Sequence, residues 1–181
     1  DFETLVETLP DWEGQGTDHG AWNVHQFPSS SPPANHPANA TDGQRALATQ
    51  AYGGLQANMT GCIASPAWDI PAFVSRFNLT FDHWLSFGDD DAAWMEWRGS
   101  SGAWSVLSPS VPYPNASSLS STPSTTWAGQ TTAWQSVHVS LDTLMTGSST
   151  TVQFRFCFKT SPDAGEREGW FIDNFTLSNE G

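Results

Sequence analysis

The chain has 181 residues and a formal net charge of −13, with nineteen acidic against six basic residues. That balance excludes nucleic acid and anionic membrane surfaces as expected partners, because the chain's own field repels both. Charged residues make up only 14% of the chain, and the polar remainder of Ser, Thr, Asn, Gln, Gly and Pro suits a β-rich, loop-rich extracellular protein of one domain, residues 1–181.

Signals in the first half are weak. Residues 27–40, FPSSSPPANHPANA, read as a long mobile Pro-rich loop. Residues 41–55, TDGQRALATQAYGGL, are the one stretch with a trace of helical period, and glycines interrupt it. From residue 76 the strands are clear. RFNLTFDHWLSF (76–87) alternates, with Phe77, Leu79 and Phe81 on one face and Asn78, Thr80 and Asp82 on the other. AWMEW (93–97) and AWSVL (103–107) follow, then a second long mobile loop at 108–126, rich in Ser, Thr and Pro. WQSVHVSL (134–141) and TVQFRFCF (151–158) are strands, the latter with Val152, Phe154, Phe156 and Phe158 toward the core and Gln153, Arg155 and Cys157 away from it. EGWFIDNFTL (168–177) closes the set. Simple alternation puts Phe171, Asp173, Phe175 and Leu177 on one face and Ile172, Asn174 and Thr176 on the other. Short strands separated by Gly/Ser/Asp turns predict an all-β antiparallel sandwich of the jelly-roll kind.

Five N-x-[ST] sequons begin at Asn39, Asn58, Asn78, Asn115 and Asn174. Chance gives roughly two in such a chain, so they favour a secreted, glycosylated, cell-surface or extracellular protein. In that compartment the two cysteines, Cys62 and Cys157, are expected to form one disulfide, with a loop carrying Cys62 reaching the outer face at Cys157. No signal peptide is visible and no apolar run approaches membrane length, so the chain reads as a mature product or an excised domain without membrane insertion.

The order of the pieces DFET, WEGQGTDHGAWNV, ATDGQRAL, CIASPAWDIP, LTFDHWLSF, DDAAWMEW, VQFRFCF and GWFIDNFTL resembles MAM-like jelly-roll domains. It is more similar still to the immune-inhibitor-A-type sandwich modules appended to secreted peptidases. The resemblance covers nearly the whole chain, and each piece is short. It implies two antiparallel sheets, no catalysis, a structural Ca²⁺ in many members, and work in adhesion, targeting or assembly. The Ca²⁺ site of such modules ties the first strand to the last, and Glu3, Asp42 and Asp173 are the acids at the matching places, with Asp42 as a turn residue and Asp173 as a strand-end cap the alternative. Asp89, Asp90 and Asp91 lack the spacing of a calcium loop and read as a solvated turn.

Ten tryptophans raise sugar binding. Trp94 shares a strand face with Glu96, and Trp127 flanks the Ser/Thr-rich loop, so both are candidate sugar-stacking residues. The resemblance favours packing roles for Trp84, Trp104 and Trp170. Catalysis has little support: G-x-S-x-G, H-E-x-x-H and phosphate-binding glycine motifs are absent, and the five histidines are dispersed. The expected function is a non-catalytic extracellular module of adhesion or structural assembly, such as a subunit of a surface filament, whose partners are neighbouring copies or other surface proteins. The alternative is a carbohydrate-binding accessory module of a secreted hydrolase or peptidase, with glycans as partners.

Overall fold

The computed structural model describes residues 11–27, 35–49, 54–70, 76–100, 102–142, 150–163 and 167–179. Two antiparallel sheets face each other. One orders β1 (Glu13–Gln15), β4 (Thr60–Ala64), β12 (Thr150–Lys159), β7 (Ala92–Gly99) and β8 (Ser105–Val106), with β5 (Trp68–Ile70) pairing the start of β12. The other orders β11 (Gln135–Ser140), β6 (Phe77–Ser86), β13 (Gly169–Asn179), β3 (Arg45–Thr49) and β2 (Trp22–Gln26). A small hairpin of β9 (Asn115–Ala116) and β10 (Thr125–Thr126) forms a separate pair, joined to β7 through the bridge between Trp127 and Ala93.

The core is the alternation made solid. Phe154, Phe156 and Phe158 of β12 are fully buried, as are Leu79 and Phe81 of β6 and Trp170 and Ile172 of β13. Phe156 meets Phe81 and Trp170 edge-on across the gap, at ring-centroid distances of 5.2 and 5.4 Å. Each such side chain contributes on the order of 2 kcal/mol through burial alone. The strands of the first half had no such signature. In β3, Ala46, Leu47 and Ala48 are all fully buried. Leu47 enters the core between the sheets, while Ala46 and Ala48 lie in a second cluster with Phe27 and Phe171. A strand covered on both faces does not alternate, and so the trace of helical period at 41–55 gives way to a strand.

The disulfide forms as expected between Cys62 and Cys157, with S–S 2.01 Å. Its placement differs from the expectation. Cys62 is in β4 and sits directly opposite Cys157 in β12, so the bond joins neighbouring strands of one sheet rather than a loop to a strand. Cys157 is fully buried, and the 108–126 segment is docked rather than loose. Tyr113 is buried, accepts a hydrogen bond from the Met95 amide and donates one to the Leu107 carbonyl. Leu119 packs against the cluster that contains Cys157, and Lys159 donates to the Ser120 carbonyl.

The aspartates at 89–91 also separate in three dimensions. Asp89 and Asp90 are exposed, but Asp91 is 2% exposed and pairs with the equally buried Arg167. Its carboxylate accepts from the Gly88 and Ser161 amides as well. The expected solvated turn is thus an ion pair that ties three chain segments together.

The last strand breaks its own alternation. Asp173 pairs with Asp82, but the next pair is Thr176 with Thr80, so three steps on β13 match two on β6. The extra residue is a bulge, and Asn174 absorbs it at φ 52°, a left-handed conformation that Asn tolerates better than most residues. Phe175 therefore turns into the core, 5.9 Å from Phe156, while Phe171 lies on the outer face beside Phe27 and His36. The expected shared face of Phe171, Asp173, Phe175 and Leu177 does not exist. Asp173 and Asn174 both belong to the outer side, in a central strand, not at an edge.

Asp173 is 2% exposed and its burial is compensated by donors. Oδ2 accepts from the Thr41 amide, the Thr41 hydroxyl and the Asp42 amide at 2.8, 2.9 and 3.0 Å, and Oδ1 accepts from the Asn174 amide. The chain just before β3 is therefore latched across β13. Below it His25, Phe27, His36 and Phe171 pack as one ring cluster. Burial and the neighbouring His36 push the His25 pKa down to about 4, and burial pushes His83 on the inner face of β6 down to about 4.

Arg167→Ala strands the Asp91 carboxylate in the interior, and urea denaturation is expected to show a loss of about 3–5 kcal/mol. Asp173→Ala frees Thr41 and Asp42 and is expected to cost about 3 kcal/mol, given the worth of hydrogen bonds to a charged acceptor. His25 and His83 are held neutral, so from pH 6.5 down toward 4 the unfolded chain binds protons that the fold refuses. Stability falls through that window as pH is lowered, and His25→Phe is expected to flatten part of the slope in thermal melts.

Candidate functional site

The outer face of the five-stranded sheet carries polar and aromatic side chains where water would otherwise meet bare backbone. On β6 the outward residues are Thr80, Asp82 and Trp84; on β11 they are Ser136 and His138; on β13 they are Asn174 and Thr176. Six of these, all but Trp84, line an open depression of about 390 Å³. Its polar atoms are held in place. Asp82 accepts from the Ser136 hydroxyl through Oδ1 and from Asn174 Nδ2, at 2.8 Å, through Oδ2. Asn174 Nδ2 also reaches the Thr41 hydroxyl at 3.1 Å. The His138 ring nitrogen Nδ1 lies 2.9 Å from the Ser110 hydroxyl, which orients the ring and leaves Nε2 for a ligand.

Two indoles continue this face. Trp84 follows Asp82 by two residues on β6, about 7 Å along the strand, and Trp134 immediately precedes β11. Their rings meet edge to face with centroids 6.2 Å apart. Trp84 Nε1 donates to the Asn35 carbonyl at 2.8 Å and Trp134 Nε1 to the Asn39 carbonyl at 2.9 Å. Both rings remain partly exposed. The segment latched by Asp173 therefore also sets the orientation of both tryptophans.

A fixed carboxylate, a carboxamide, an imidazole and hydroxyls in one depression beside two indole faces can grip a polyhydroxylated ligand. Aromatic rings supply apolar area and polar groups fix orientation. Glycoside hydrolysis commonly uses a second carboxylate within reach of the first. Asp173, the strand partner of Asp82, is buried and holds four donors, so among the described residues it is not available for that role.

The other expected site residues are scattered. Trp94 is 5% and Trp127 6% exposed, too little for stacking on a sugar. Trp94 Nε1 is engaged by Glu96 at 2.9 Å, while Trp127 is in the core against Tyr113, His83 and Phe81. Trp170 packs in the core as expected, whereas Trp84 and Trp104 lie on outer faces. Asn39 and Asn58 are exposed and Asn115 is half-buried; Asn78 is 6% exposed, and Asn174 uses its amide nitrogen on Asp82 and Thr41. Glu3 lies outside the described residues. The donors around both Asp173 oxygens occupy the places a Ca²⁺ would take, so the described residues do not fit the ion there. Among them no group of three or more His, Cys, Asp or Glu is placed to hold a metal. The site that does assemble was carried by an overlooked parity: Trp84 and Trp134 fall in register with Asp82, Ser136 and His138, on the side opposite Phe81, Val137 and Val139.

No family model and no curated protein matches the chain. Solved structures do. Over 99% of its length the chain is similar to TmCBM61, a carbohydrate-binding module solved in complex with β-1,4-galactotriose, with 16% identity, a TM-score of 0.55 and 94% of that chain covered. It is similar over the same span to the K1 and K3 cleaved adhesin domains of Lys-gingipain from Porphyromonas gingivalis. There the identities are 14% and 15%, the TM-scores 0.51 and 0.50, and 96% and 97% of those chains are covered. At such identities the likeness is one of fold: it bears out the antiparallel β-sandwich and does not extend to the narrower MAM-like resemblance.

Proposed function

We propose that this chain is a non-catalytic recognition module of an extracellular or cell-surface protein, and that it binds a neutral glycan chain on the outer face of its five-stranded sheet. The observation that carries this reading is the immobilised Trp84–Trp134 pair in line with the Asp82–Asn174–His138 depression. A glycan strand laid across the face puts one sugar ring against an indole and the next over the polar groups. The groups need no rearrangement to receive it, which lowers the entropic cost of binding. The disulfide supports an oxidising compartment, and the sandwich shared with TmCBM61 supports a sugar ligand.

Adhesion is the same chemistry in another setting. The fold shared with the two Lys-gingipain adhesin domains supports attachment to a glycan-bearing surface as the purpose of binding. Of the sequons, the exposed Asn58 and the half-buried Asn115 are the acceptors we assign. A glycan on Asn39 would crowd Trp134, whose indole nitrogen is bonded to the Asn39 carbonyl.

Calorimetric titration with neutral oligosaccharides, β-1,4-galactotriose among them, tests the reading. Trp134→Ala is expected to cost about 2 kcal/mol of binding, as loss of a buried aromatic anchor does, or roughly 30-fold in Kd. Binding that is unchanged by Trp134→Ala and by Asp82→Asn, or a failure of every neutral glycan to bind, overturns it.

A further inference from the structure

The six basic residues of this acidic chain are not spread evenly. Arg98, Arg155 and Lys159 share the outer face of the six-stranded sheet, on the neighbouring strands β7 and β12. Lys159 is tied to Ser120, and Arg155 is paired with Glu96 and donates to Gln15. Arg98 differs. Its Nε donates to Gln153 Oε1 at 2.8 Å, and its guanidinium carbon lies 4.5 Å from the centre of the Trp104 ring, which Arg155 also approaches, at 4.3 Å. No carboxylate among the described residues pairs with it. One edge and one face of the guanidinium are therefore fixed, and its two terminal amino groups remain. Arg98 borders an open pocket of about 350 Å³ whose wall also includes Ser100, Gly102, Thr151 and Gln153.

We infer that this pocket is a second binding site, independent of the first, for a carboxylate-bearing sugar of the uronic-acid class. A planar guanidinium held by stacking and by a hydrogen bond at Nε presents the geometry that takes a carboxylate through two parallel N–H···O bonds. The pocket has the size of a single pyranose ring. Ser100 and the accepting lone pairs of the Thr151 hydroxyl, which donates to Asp69, are left for the ring's hydroxyls, while the Gln153 amide is held at both ends by Arg98 and the Ser65 carbonyl. Of the carboxylates on the neighbouring strands, Glu96 is paired with Arg155 and bonded by Trp94, while Asp69 accepts from the Thr151 hydroxyl and keeps its charge at an exposed position where water screens it. The chain's overall negative charge acts at longer range, and at physiological ionic strength charges more than about 8 Å away are largely screened. The Arg98 contact decides the outcome there. The open, mostly polar wall suits a sugar better than an apolar peptide side chain.

The test compares trigalacturonate with its methyl ester, which keeps every ring and removes every charge. By calorimetry the wild-type protein is expected to bind the acid at least about tenfold more tightly than the ester, the scale of a charge-assisted hydrogen-bonded contact. Arg98→Gln is expected to abolish that preference while leaving affinity for neutral oligosaccharides at the Trp84–Trp134 face unchanged. Equal affinities for acid and ester in the wild-type protein overturn the proposal, whatever the variant's stability, and so does an acid preference that survives in folded Arg98→Gln. Loss of neutral-glycan binding through Trp134→Ala reports on the other face, so the two assignments fail separately.

Discussion

Asp173 governs the outer face of the five-stranded sheet. A carboxylate buried beside Phe171 needs several donors, and the amides of Thr41 and Asp42 with the Thr41 hydroxyl provide them. That requirement pulls the chain ahead of β3 across β13. The same stretch covers Phe27 and Phe171, buries His25 and His36, and brings the carbonyls of Asn35 and Asn39 onto the indole nitrogens of Trp84 and Trp134. The orientation of two surface indoles thus depends on the desolvation of one acid more than 130 residues away in sequence from Thr41 and Asp42. The bulge at Asn174 belongs to the same device. It returns Phe175 to the core while Asp173 stays outside, and it aims the Asn174 amide at Asp82.

The two outer faces divide the chemistry of the molecule. One carries Asp82, Asn174, His138 and two fixed indoles, with its acid held by side-chain donors. The other carries three of the six basic residues, a buried disulfide and Trp104 over two guanidinium groups. The core between them is nearly all aromatic and aliphatic, so each face can vary without disturbing the other. A sandwich suits this arrangement because alternation commits every second residue of a strand to packing and leaves the rest free for recognition.

The buried ion pair lies where strands leave their sheets. Asp91 and Arg167 pair where the β6–β7 turn meets the entry to β13, and Arg167 also holds the Ser161 hydroxyl and the Asp163 carbonyl. An unpaired charge there would be costly, so these contacts fix loop positions that backbone pairing alone leaves open. Gly169, just beyond, takes φ 104° and lies so close to Thr49 that a Cβ would overlap its side chain; this brings the Trp170 amide onto the Thr49 hydroxyl.

By itself the sequence determined the all-β class, six of the strands, the core faces of β6 and β12, and the cysteine pairing. Those features follow from the two-residue period of a strand with one face dry and one wet, and from the presence of only two thiols. Tertiary structure alone decided the rest. Strand β3 was hidden because burial on both faces erases alternation, and β2, β4 and β5 are only three to five residues long, too short to show a period. Asp91 looked solvated because its partner lies 76 residues away, and the Asp173 face was misread because one bulge residue inverts everything after it. Trp94 and Trp127 sit under a docked segment that composition marks only as loop. Trp84 and Trp134 come together because β6 and β11 pair, and pairing register is a property of the folded sheet that neither strand encodes alone.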